Sequence, residues 1–362
     1  MSSRWERAER LLAIRLDSLG DVLMTGPALR ALASRGAHVT LLTSPAGAAV
    51  AGLLPEVEEV IVYEAPWMKA SAPRSEPALE RAMVSRLRRG SFDGAAIFTV
   101  YSQSPLPAAL LCHLAGIPLR AAHCRENPYQ LLTDWIREPE PLRVERHEVE
   151  RQLALTAELG FENGDSALRV APPAAAAERV ERLLDEIELD CRQPWLVLHP
   201  GATAPARRYP VDRYASAARS LVDEHGWRVV VVGGEDDANL AERLVTRLGG
   251  RAVSLAGRLN LGELAALIAR APLFIGNNSG PAHLAAAVAT PAVVLYALTN
   301  PQHTPWGVPS RVLSHDVPCR NCYSSVCPAG HHLCLLAIEP AEIVAAALSL
   351  HAETATTLAL TV

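Results

Sequence analysis

Short apolar runs alternate with longer segments of helical periodicity from one end of the chain to the other. Runs that are apolar at consecutive positions predict strands buried on both faces, and their alternation with helices predicts parallel sheets covered on both sides. In the first half, strands are predicted at residues 11–16, 39–43, 60–63 and 95–100. Helices are predicted between these strands, among them residues 22–34 and 77–89.

The alternation stops in the middle of the chain and then starts again. Residues 137–150 are strongly charged, and residues 171–178 are rich in proline and alanine, which is typical of a connection between domains. Beyond them, strands are predicted at 195–199, 228–232, 253–255, 273–276 and 292–296, and helices at 212–225, 261–270 and 281–288. The pattern predicts an α/β protein with two Rossmann-like, doubly wound parallel-sheet domains, residues 1–175 and 176–362.

Length and charge support this division and narrow the function. A chain of 362 residues is too long for one compact core. Its net charge of −5 provides no general basic field, so we expect no nucleic-acid partner. The polar N-terminus lacks the apolar segment of a signal peptide, and the least charged window, residues 281–298, is interrupted by Pro291. We therefore expect a cytoplasmic protein.

Ligands bind beyond the carboxyl ends of the strands in open parallel sheets, so the loops after strands are the candidate sites. In the loop after the first strand, Gly20 allows the backbone to approach a ligand, and Asp21 begins a helix. Asp21 is either the N-cap of that helix or a general base that takes a proton from an acceptor hydroxyl. The chain has no P-loop motif and no dinucleotide-binding glycine fingerprint after the first strand.

Two loops of the second half carry groups suited to a nucleotide. Residues 199–210 include Thr203 and the adjacent cations Arg207 and Arg208, which either hold a diphosphate or lie solvated on the surface. Asp237 follows a glycine turn after a strand and either accepts the hydroxyls of a ribose or caps a helix. The sequence leaves both pairs of alternatives open.

Residues 274–283 form the most informative segment and favour a phosphate site. A predicted strand ends there, small polar residues follow, and Pro281 suits the first turn of the next helix. Backbone N–H groups at such a helix start attract phosphate through the helix dipole. Ser279 and Gly280 allow close approach, and His283 either reaches the same anion or packs in the core.

Four cysteines cluster near the end of the chain, in residues 319–334. Cys319 and Cys322 form a C-x-x-C pair, and Cys327 and Cys334 follow. Four thiols at these spacings are either the ligands of a structural zinc ion or reduced thiols in a packed loop. Neither interpretation assigns them to catalysis.

Four stretches, in this order, resemble the ADP-heptose:lipopolysaccharide heptosyltransferases of glycosyltransferase family nine. They are RLDSLGDVLMTGPALRAL, HPGATAPARRYP, VVVVGGEDD and GNNSGPAHLAAAVATPAVVLY, and the tail CRNCYSSVCPAGHHLCL is also similar. The resemblance covers nearly the whole chain, from about residue 11 to residue 343. It implies the GT-B architecture, with residues 1–175 binding the acceptor, residues 176–362 binding the nucleotide sugar, and the donor in the cleft. It also implies an inverting mechanism without a catalytic metal.

The same resemblance implies roles for individual residues. Asp21 matches the catalytic base, and Arg207, three residues before Pro210, matches the cation that stabilises the leaving diphosphate. The implied nucleotide-sugar-binding residues are Gly20, Thr203, Asp237, Asn278, Ser279, Gly280 and His283. Many members have aspartate where this chain has Asn278, which removes a negative charge and leaves the donor sugar and the rate open to change.

The expected activity is transfer of heptose or a related sugar from an ADP-sugar to a hydroxyl of lipopolysaccharide core or another glycan. No cofactor is expected beyond this donor, apart from the zinc hypothesis. The acceptor is expected to be a glycan or glycolipid that contacts residues 101–107 and 120–129, which leaves open a peripheral contact with the inner membrane surface. The alternatives are another nucleotide sugar or acceptor, an epimerase or hydrolase of the same architecture, and a non-catalytic sugar-nucleotide-binding protein.

Overall fold

The computed structural model describes residues 4–69, 71–72 and 76–361. Contacts within the chain divide it into two compact units, Met1–Arg169 and Val170–Val362. Each unit contains one six-stranded sheet in which neighbouring strands are parallel. The predicted class, two doubly wound α/β domains, is confirmed by these sheets and the helices that connect their strands. The binding roles expected of the two halves stay predictions.

The first unit is built around a central, fully buried strand. Its strands are β1 (Arg10–Arg15), β2 (His38–Thr43), β3 (Glu59–Val62), β4 (Gly94–Ile97), β5 (Leu119–Cys124) and β6 (Asp134–Arg137). Its helices are α1 (Leu19–Ala33), α2 (Pro45–Ala51), α3 (Ala78–Gly90), α4 (Leu106–Ala115) and α5 (Glu148–Glu158). Leu11, Leu12 and Ala13 of β1 have no exposed surface. The apolar run that predicted this strand is therefore explained by burial on both faces of the sheet.

The strand order of this sheet is β3-β2-β1-β4-β5-β6, so the direction of winding reverses between β1 and β4. Right-handed crossovers place α1 and α2 on one face of the sheet and α3 and α4 on the other. In agreement, α1 packs against α2 and α5, and α3 packs against α4. At such a reversal the loops after the two central strands lie side by side at the carboxyl edge of the sheet.

The second unit repeats this arrangement with its own core. Its strands are β7 (Trp195–His199), β8 (Arg228–Val231), β9 (Ala252–Ser254), β10 (Phe274–Asn277), β11 (Ala292–Leu295) and β12 (Ser310–Leu313). Its helices are α6 (Ala174–Glu186), α7 (Val211–His225), α8 (Ala238–Leu248), α9 (Leu261–Arg270), α10 (Gly280–Ala287), α11 (Leu333–Leu336) and α12 (Pro340–Thr361). The order β12-β11-β10-β7-β8-β9 reverses between β7 and β10. Among the described residues, no helix has both the length and the apolar character needed to cross a membrane.

Three strands, β5, β6 and β12, were not predicted, and two of the missed helices are α2 and α4. Arg120 and His123 interrupt the apolar pattern of β5, yet both side chains are buried. Arg120 is accommodated because its guanidinium donates to the carbonyl oxygens of Gln130 and Leu131, at 3.0 and 2.8 Å. A cation satisfied by distant backbone groups cannot be distinguished from a loop cation by its position in the sequence.

Candidate active site

The loop after β1 runs directly into α1 and fixes Asp21 at the start of that helix. Ser18 is the N-cap residue, and both its backbone N–H and its hydroxyl donate to Oδ2 of Asp21, at 3.0 and 2.6 Å. Asp21 is thus the third residue of α1 and not its N-cap, as in a capping box. Gly20 precedes it and is buried. Of the two alternatives for Asp21, N-cap or general base, the N-cap position is already occupied by Ser18.

Arg15, the last residue of β1, is fully buried beside this carboxylate. Its three guanidinium nitrogens face three carboxylates: Nε lies 2.9 Å from Asp17, the two terminal nitrogens 3.2 Å from Asp21 and 2.8 Å from Glu148. Burial disfavours the charged guanidinium, but the three carboxylates outweigh burial and raise the pKa of Arg15 above its ordinary value. A single permanent cation is therefore shared by three acidic side chains.

Asp17 connects this cluster to the neighbouring loop at the reversal of the sheet. Its Oδ1 accepts a hydrogen bond of 2.6 Å from the amide of Gln103, which lies between β4 and α4. Burial raises the pKa of Asp17 to about 6, Arg15 pulls the value down, and Asp21 and Glu148 push it up. The carboxylate of Asp17 thus titrates closer to neutral pH than an ordinary aspartate.

In the second unit, Asn277 fastens the loop that follows β7. It is the last residue of β10, and its side chain has no exposed surface. Its amide donates to the carbonyl oxygen of Pro200 at 2.7 Å, and its Oδ1 accepts from the backbone N–H of Tyr209 and the hydroxyl of Tyr214, at 3.1 and 3.0 Å. The loop between these attachment points, which carries Arg207, is therefore held at the end of β10.

Arg207 lies in the short 3-10 helix of that loop, near Tyr296, the residue after β11. Burial raises the pKa of Tyr296 to about 12, while the backbone N–H of His303, the charge of Arg207 and the side chain of Asn278 oppose this rise. Nε of Arg207 is buried and has no hydrogen-bond partner among the described residues. The loops after β7, β10 and β11 therefore bring together the guanidinium of Arg207, the amide of Asn278 and the phenol of Tyr296.

The helix α10 begins at Gly280, two residues after Asn278. Ser279 is its N-cap residue, Pro281 lies in the first turn, and no side chain among the described residues caps the helix start. Backbone N–H groups in such a position are suited to an anion. His283 is buried, and its ring lies 6.5 Å from the ring of His303. The geometry is therefore that of a helix start open to phosphate, beginning at Gly280.

Asp237 lies after β8 and joins two loops of the second unit. Its Oδ2 is 3.6 Å from Nε2 of His199 and accepts from the backbone N–H of Gly234 at 3.2 Å. The contact with His199 lowers the pKa of Asp237, and burial opposes this effect. The packing is close, because a Cβ added at Gly201 would lie 2.2 Å from Oδ1 of Asp237. Asp237 therefore has a positioning contact whether or not it also binds a ribose.

The structure thus distributes the predicted site residues over three clusters. Asp21 and Gly20 lie on the Arg15 cluster, Arg207 and Asn278 gather around Tyr296, and Asp237 contacts His199, while Thr203 is exposed in the loop after β7. The sequence analysis did not single out Arg15, Asp17, Gln103, Glu148, His199 and Tyr296. A buried charge requires a partner, but the sequence does not show that Arg15, at the end of an apolar strand, is buried.

For the four clustered cysteines of residues 319–334, the sequence left open a structural zinc site and a packed loop of reduced thiols. Cys319, Cys322, Cys327 and Cys334 are free thiols that border a small cavity of about 20 Å³. Within the described ranges, no three or more histidine, cysteine, aspartate or glutamate side chains are arranged to hold a metal ion. Backbone hydrogen bonds join the segment to the loops at residues 206, 298 and 299. The four thiols thus lie in a packed segment, and the zinc alternative stays a prediction.

Comparisons with known proteins agree with this fold. A model of glycosyltransferase family 9 (heptosyltransferase) matches residues 81–333. Lipopolysaccharide heptosyltransferase 2 of Escherichia coli (strain K12) is 29% identical over 314 residues, which cover 82% of this chain and 85% of that protein. The structure of a family 9 glycosyl transferase from Veillonella parvula DSM 2008 has a TM-score of 0.79 at 21% identity, covering 98% of this chain and 100% of that one. The structure of E. coli ADP-heptose lps heptosyltransferase II has a TM-score of 0.73 at 24% identity, covering 95% of this chain and 99% of that one.

Two doubly wound sheets, with these structural neighbours, define the GT-B architecture. The chain belongs to glycosyltransferase family 9, the heptosyltransferase family. The matched range includes Arg207 and the start of α10 but begins after Asp21. The roles of the individual side chains therefore rest on their geometry.

Proposed function

We propose that this enzyme transfers heptose from ADP-heptose to a sugar hydroxyl of a lipopolysaccharide core or a related glycan, with inversion at the anomeric carbon. The names of two similar E. coli proteins, a lipopolysaccharide heptosyltransferase and an ADP-heptose heptosyltransferase, support this donor and acceptor. In this proposal the first unit binds the acceptor and supplies the base, and the second unit binds the nucleotide sugar. Peripheral contact with a membrane surface stays a prediction.

The observation that carries the proposal is the Asp21 carboxylate fixed by Arg15 and Ser18 at the end of a central strand. Its side chain is held in one orientation but keeps 13% of its surface exposed, so an acceptor hydroxyl can approach it. Asp21 takes the proton of that hydroxyl, and the oxygen attacks the anomeric carbon opposite the diphosphate. The new glycosidic bond forms as the bond to ADP breaks, so the configuration inverts.

Departure of ADP requires stabilisation of the negative charge that grows on its diphosphate. Arg207 offers a buried guanidinium nitrogen without a partner among the described residues, and the start of α10 offers uncapped backbone N–H groups. Asn277 keeps these two elements in register, since it binds the Arg207 loop from the last position of β10. Both groups are in place before the reaction, so little reorganisation is needed.

Asn278 is proposed to face the donor sugar or its phosphates. Its side chain and the charge of Arg207 both lower the pKa of Tyr296, against the effect of burial. A neutral amide at this position adds no negative charge beside the cation that binds the diphosphate. We expect Asn278 to preserve donor binding and to alter the choice of sugar more than the chemical step.

The test is a product assay with ADP-heptose and a lipopolysaccharide core acceptor that lacks heptose. We expect a heptosylated acceptor and one ADP per product by mass spectrometry, and an inverted anomeric configuration by NMR. UDP-glucose, a matched nucleotide sugar with another base, is expected to support little transfer. Release of ADP at the same rate without an acceptor would instead identify a hydrolase. Binding of ADP without turnover of any acceptor would identify a sugar-nucleotide-binding protein.

A further inference from the structure

The Arg15 cluster contains a second carboxylate that the mechanism above does not use. Asp17 and Asp21 approach different nitrogens of the same guanidinium, at 2.9 and 3.2 Å. The third nitrogen is occupied by Glu148, which is fully buried and also accepts from the amide of Gln152. Asp17 is therefore not needed to neutralise Arg15, and it is not needed to begin α1, because Ser18 and Asp21 do so.

We propose that Asp17 is a positioning residue for the Asp21 base, and that it keeps Asp21 basic by sharing the Arg15 cation with it. This inference rests on the function proposed above. A carboxylate that has a cation to itself is a weak base, since the ion pair stabilises its charged form. With Asp17 as a competing partner on Nε, the charge of Arg15 is shared by three carboxylates, and the repulsion between Asp17 and Asp21 favours uptake of a proton by either one.

The position of Asp17 beside two other carboxylates lowers the free energy of unfolding. A purely structural role therefore does not explain why Asp17 lies there. A buried Arg15–Glu148 pair alone would be neutral, whereas a further nearly buried carboxylate leaves negative charge in excess. The other oxygen of Asp17 accepts a hydrogen bond from the amide of Gln103, so both of its oxygens have protein partners. The group is thus kept at a position that destabilises its own charged form.

The pH dependence of this device follows from the groups that face Asp17. These are Arg15, Asp21, Glu148 and the uncharged Gln103, and together with burial they place the pKa of Asp17 at about 6. As the pH falls through about 6, Asp17 takes up a proton. The neutral carboxyl group no longer competes with Asp21 for the Arg15 cation. Asp21 then becomes a weaker base, so kcat declines before Asp21 itself is protonated.

Stability is expected to change in the opposite direction. The pKa of Asp17 is higher in the folded protein than the value of 3.8 for a free aspartate, so between about pH 4 and pH 6 the folded state binds more protons. The free energy of unfolding therefore decreases as the pH rises through this range, and above pH 6 the charged Asp17 carries its full penalty. A substitution that removes the charge should stabilise the enzyme at pH 8.

The experiment compares Asp17→Asn with a matched control, Glu56→Gln, in the same unit. Glu56 forms a largely buried ion pair of 2.7 Å with Arg30, remote in sequence from the cluster. For D17N we expect kcat at pH 8 to fall about fivefold with an unchanged KM for the donor, and the decline of kcat near pH 6 to disappear. We also expect a higher Tm than wild type at pH 8, with the difference shrinking at pH 5. For E56Q we expect a lower Tm and a wild-type pH profile of kcat.

A D17N enzyme with wild-type kcat and an unchanged decline near pH 6 would overturn the proposal, as would a D17N variant that is less stable at pH 8. A ¹³C NMR titration of the Asp21 carboxyl group provides a measurement that needs no substrate. The expected result is a lower apparent pKa of Asp21 in D17N, and an unchanged or higher value would overturn the proposal. If the titration shifts as expected while no heptosyl transfer is detected, the proposed function fails and the coupling stands.

Discussion

The starts of α1 and α10 both lie at a sheet reversal, but α1 follows the first strand of its unit and α10 follows the fourth strand of its own, and their surroundings differ. Each helix begins after a central strand, at the reversal of its sheet. At the start of α1, Ser18 donates to the carboxylate of Asp21, and Arg15 lies beside that carboxylate, but Ser18 makes no side-chain cap hydrogen bond to the helix. The start of α10 has no side-chain cap among the described residues, and an amide and a cation lie beside it.

This difference teaches how one fold divides the work of a transfer reaction. In the proposed mechanism, the base needs a carboxylate whose orientation and proton affinity are fixed, so protein groups must hold the Asp21 side chain itself. In the same proposal, the leaving diphosphate needs donors that are unfilled until it binds, and the start of α10 offers them. The predictions below test this division, beginning with Asp21 at the start of α1.

The largest effect is expected for Asp21→Asn. The amide keeps the size of the side chain but cannot take a proton, so we expect kcat to fall by about 10³-fold, within the range of general base catalysis. ADP binding, measured by calorimetry, should stay close to that of wild type, because Asp21 belongs to the first unit. Loss of ADP affinity in proportion to kcat would contradict the division between the two helix starts.

The next effect is expected for Arg207→Ala, on the open side of the comparison. Removal of a charge-assisted contact to the diphosphate should raise the KM for ADP-heptose and lower kcat, with kcat/KM reduced by about 30-fold. The neighbouring Arg208→Ala is the matched control, because Arg208 is exposed and binds the carbonyl oxygen of Ala202. Equal losses in the two variants would show that the loop contributes general positive charge and not one specific contact.

A smaller effect, on folding, is expected for Gly201→Ala. The added Cβ would lie 2.2 Å from the carboxylate of Asp237, so this side chain or the loop must move, at a cost of about 1–3 kcal/mol in the free energy of unfolding. Gly234→Ala is the control, since a Cβ there meets no heavy atom within 4 Å. Denaturant unfolding measures both, and a G201A protein as stable as G234A would contradict the close packing.

The sequence predicted the strands and the loops after them better than it predicted which side chains of those loops contact each other. Strands such as β1 and β7 are apolar on both faces, and that pattern is visible without any tertiary knowledge. Asp21 could be singled out as a candidate because its position after a strand and before a helix is local. Glu148 could not, since it lies 133 residues from the Arg15 it binds, in a charged run that is typical of a connection. Long-range ion pairs leave no periodic signal in the sequence.

The two alternatives for the cysteine segment could not be separated from the sequence for a related reason. The spacing of Cys319, Cys322, Cys327 and Cys334 is a local pattern, but a metal site depends on the directions in which the thiols point. In the fold, this segment is tied by backbone hydrogen bonds to the loops that surround Arg207, among them one of 3.0 Å from Ala206 to Ser325. Local spacing is thus a weaker guide where a segment is shaped by the elements it packs against.

The smallest effect is expected for Asp237→Asn and concerns the pH dependence of stability. The pKa of Asp237 lies below its ordinary value, chiefly through the contact with His199, so the folded state favours the charged carboxylate. Its contribution is present above pH 4 and is lost as the pH falls through the lowered pKa. We expect D237N to lose about 1 kcal/mol at pH 7 and less at pH 3, by urea unfolding at both values. Asp236→Asn, at an exposed neighbouring position, is the control and should change neither. A D237N deficit that grows toward acid would contradict the direction of the shift and, with it, the view that protein groups already hold this carboxylate before any nucleotide binds.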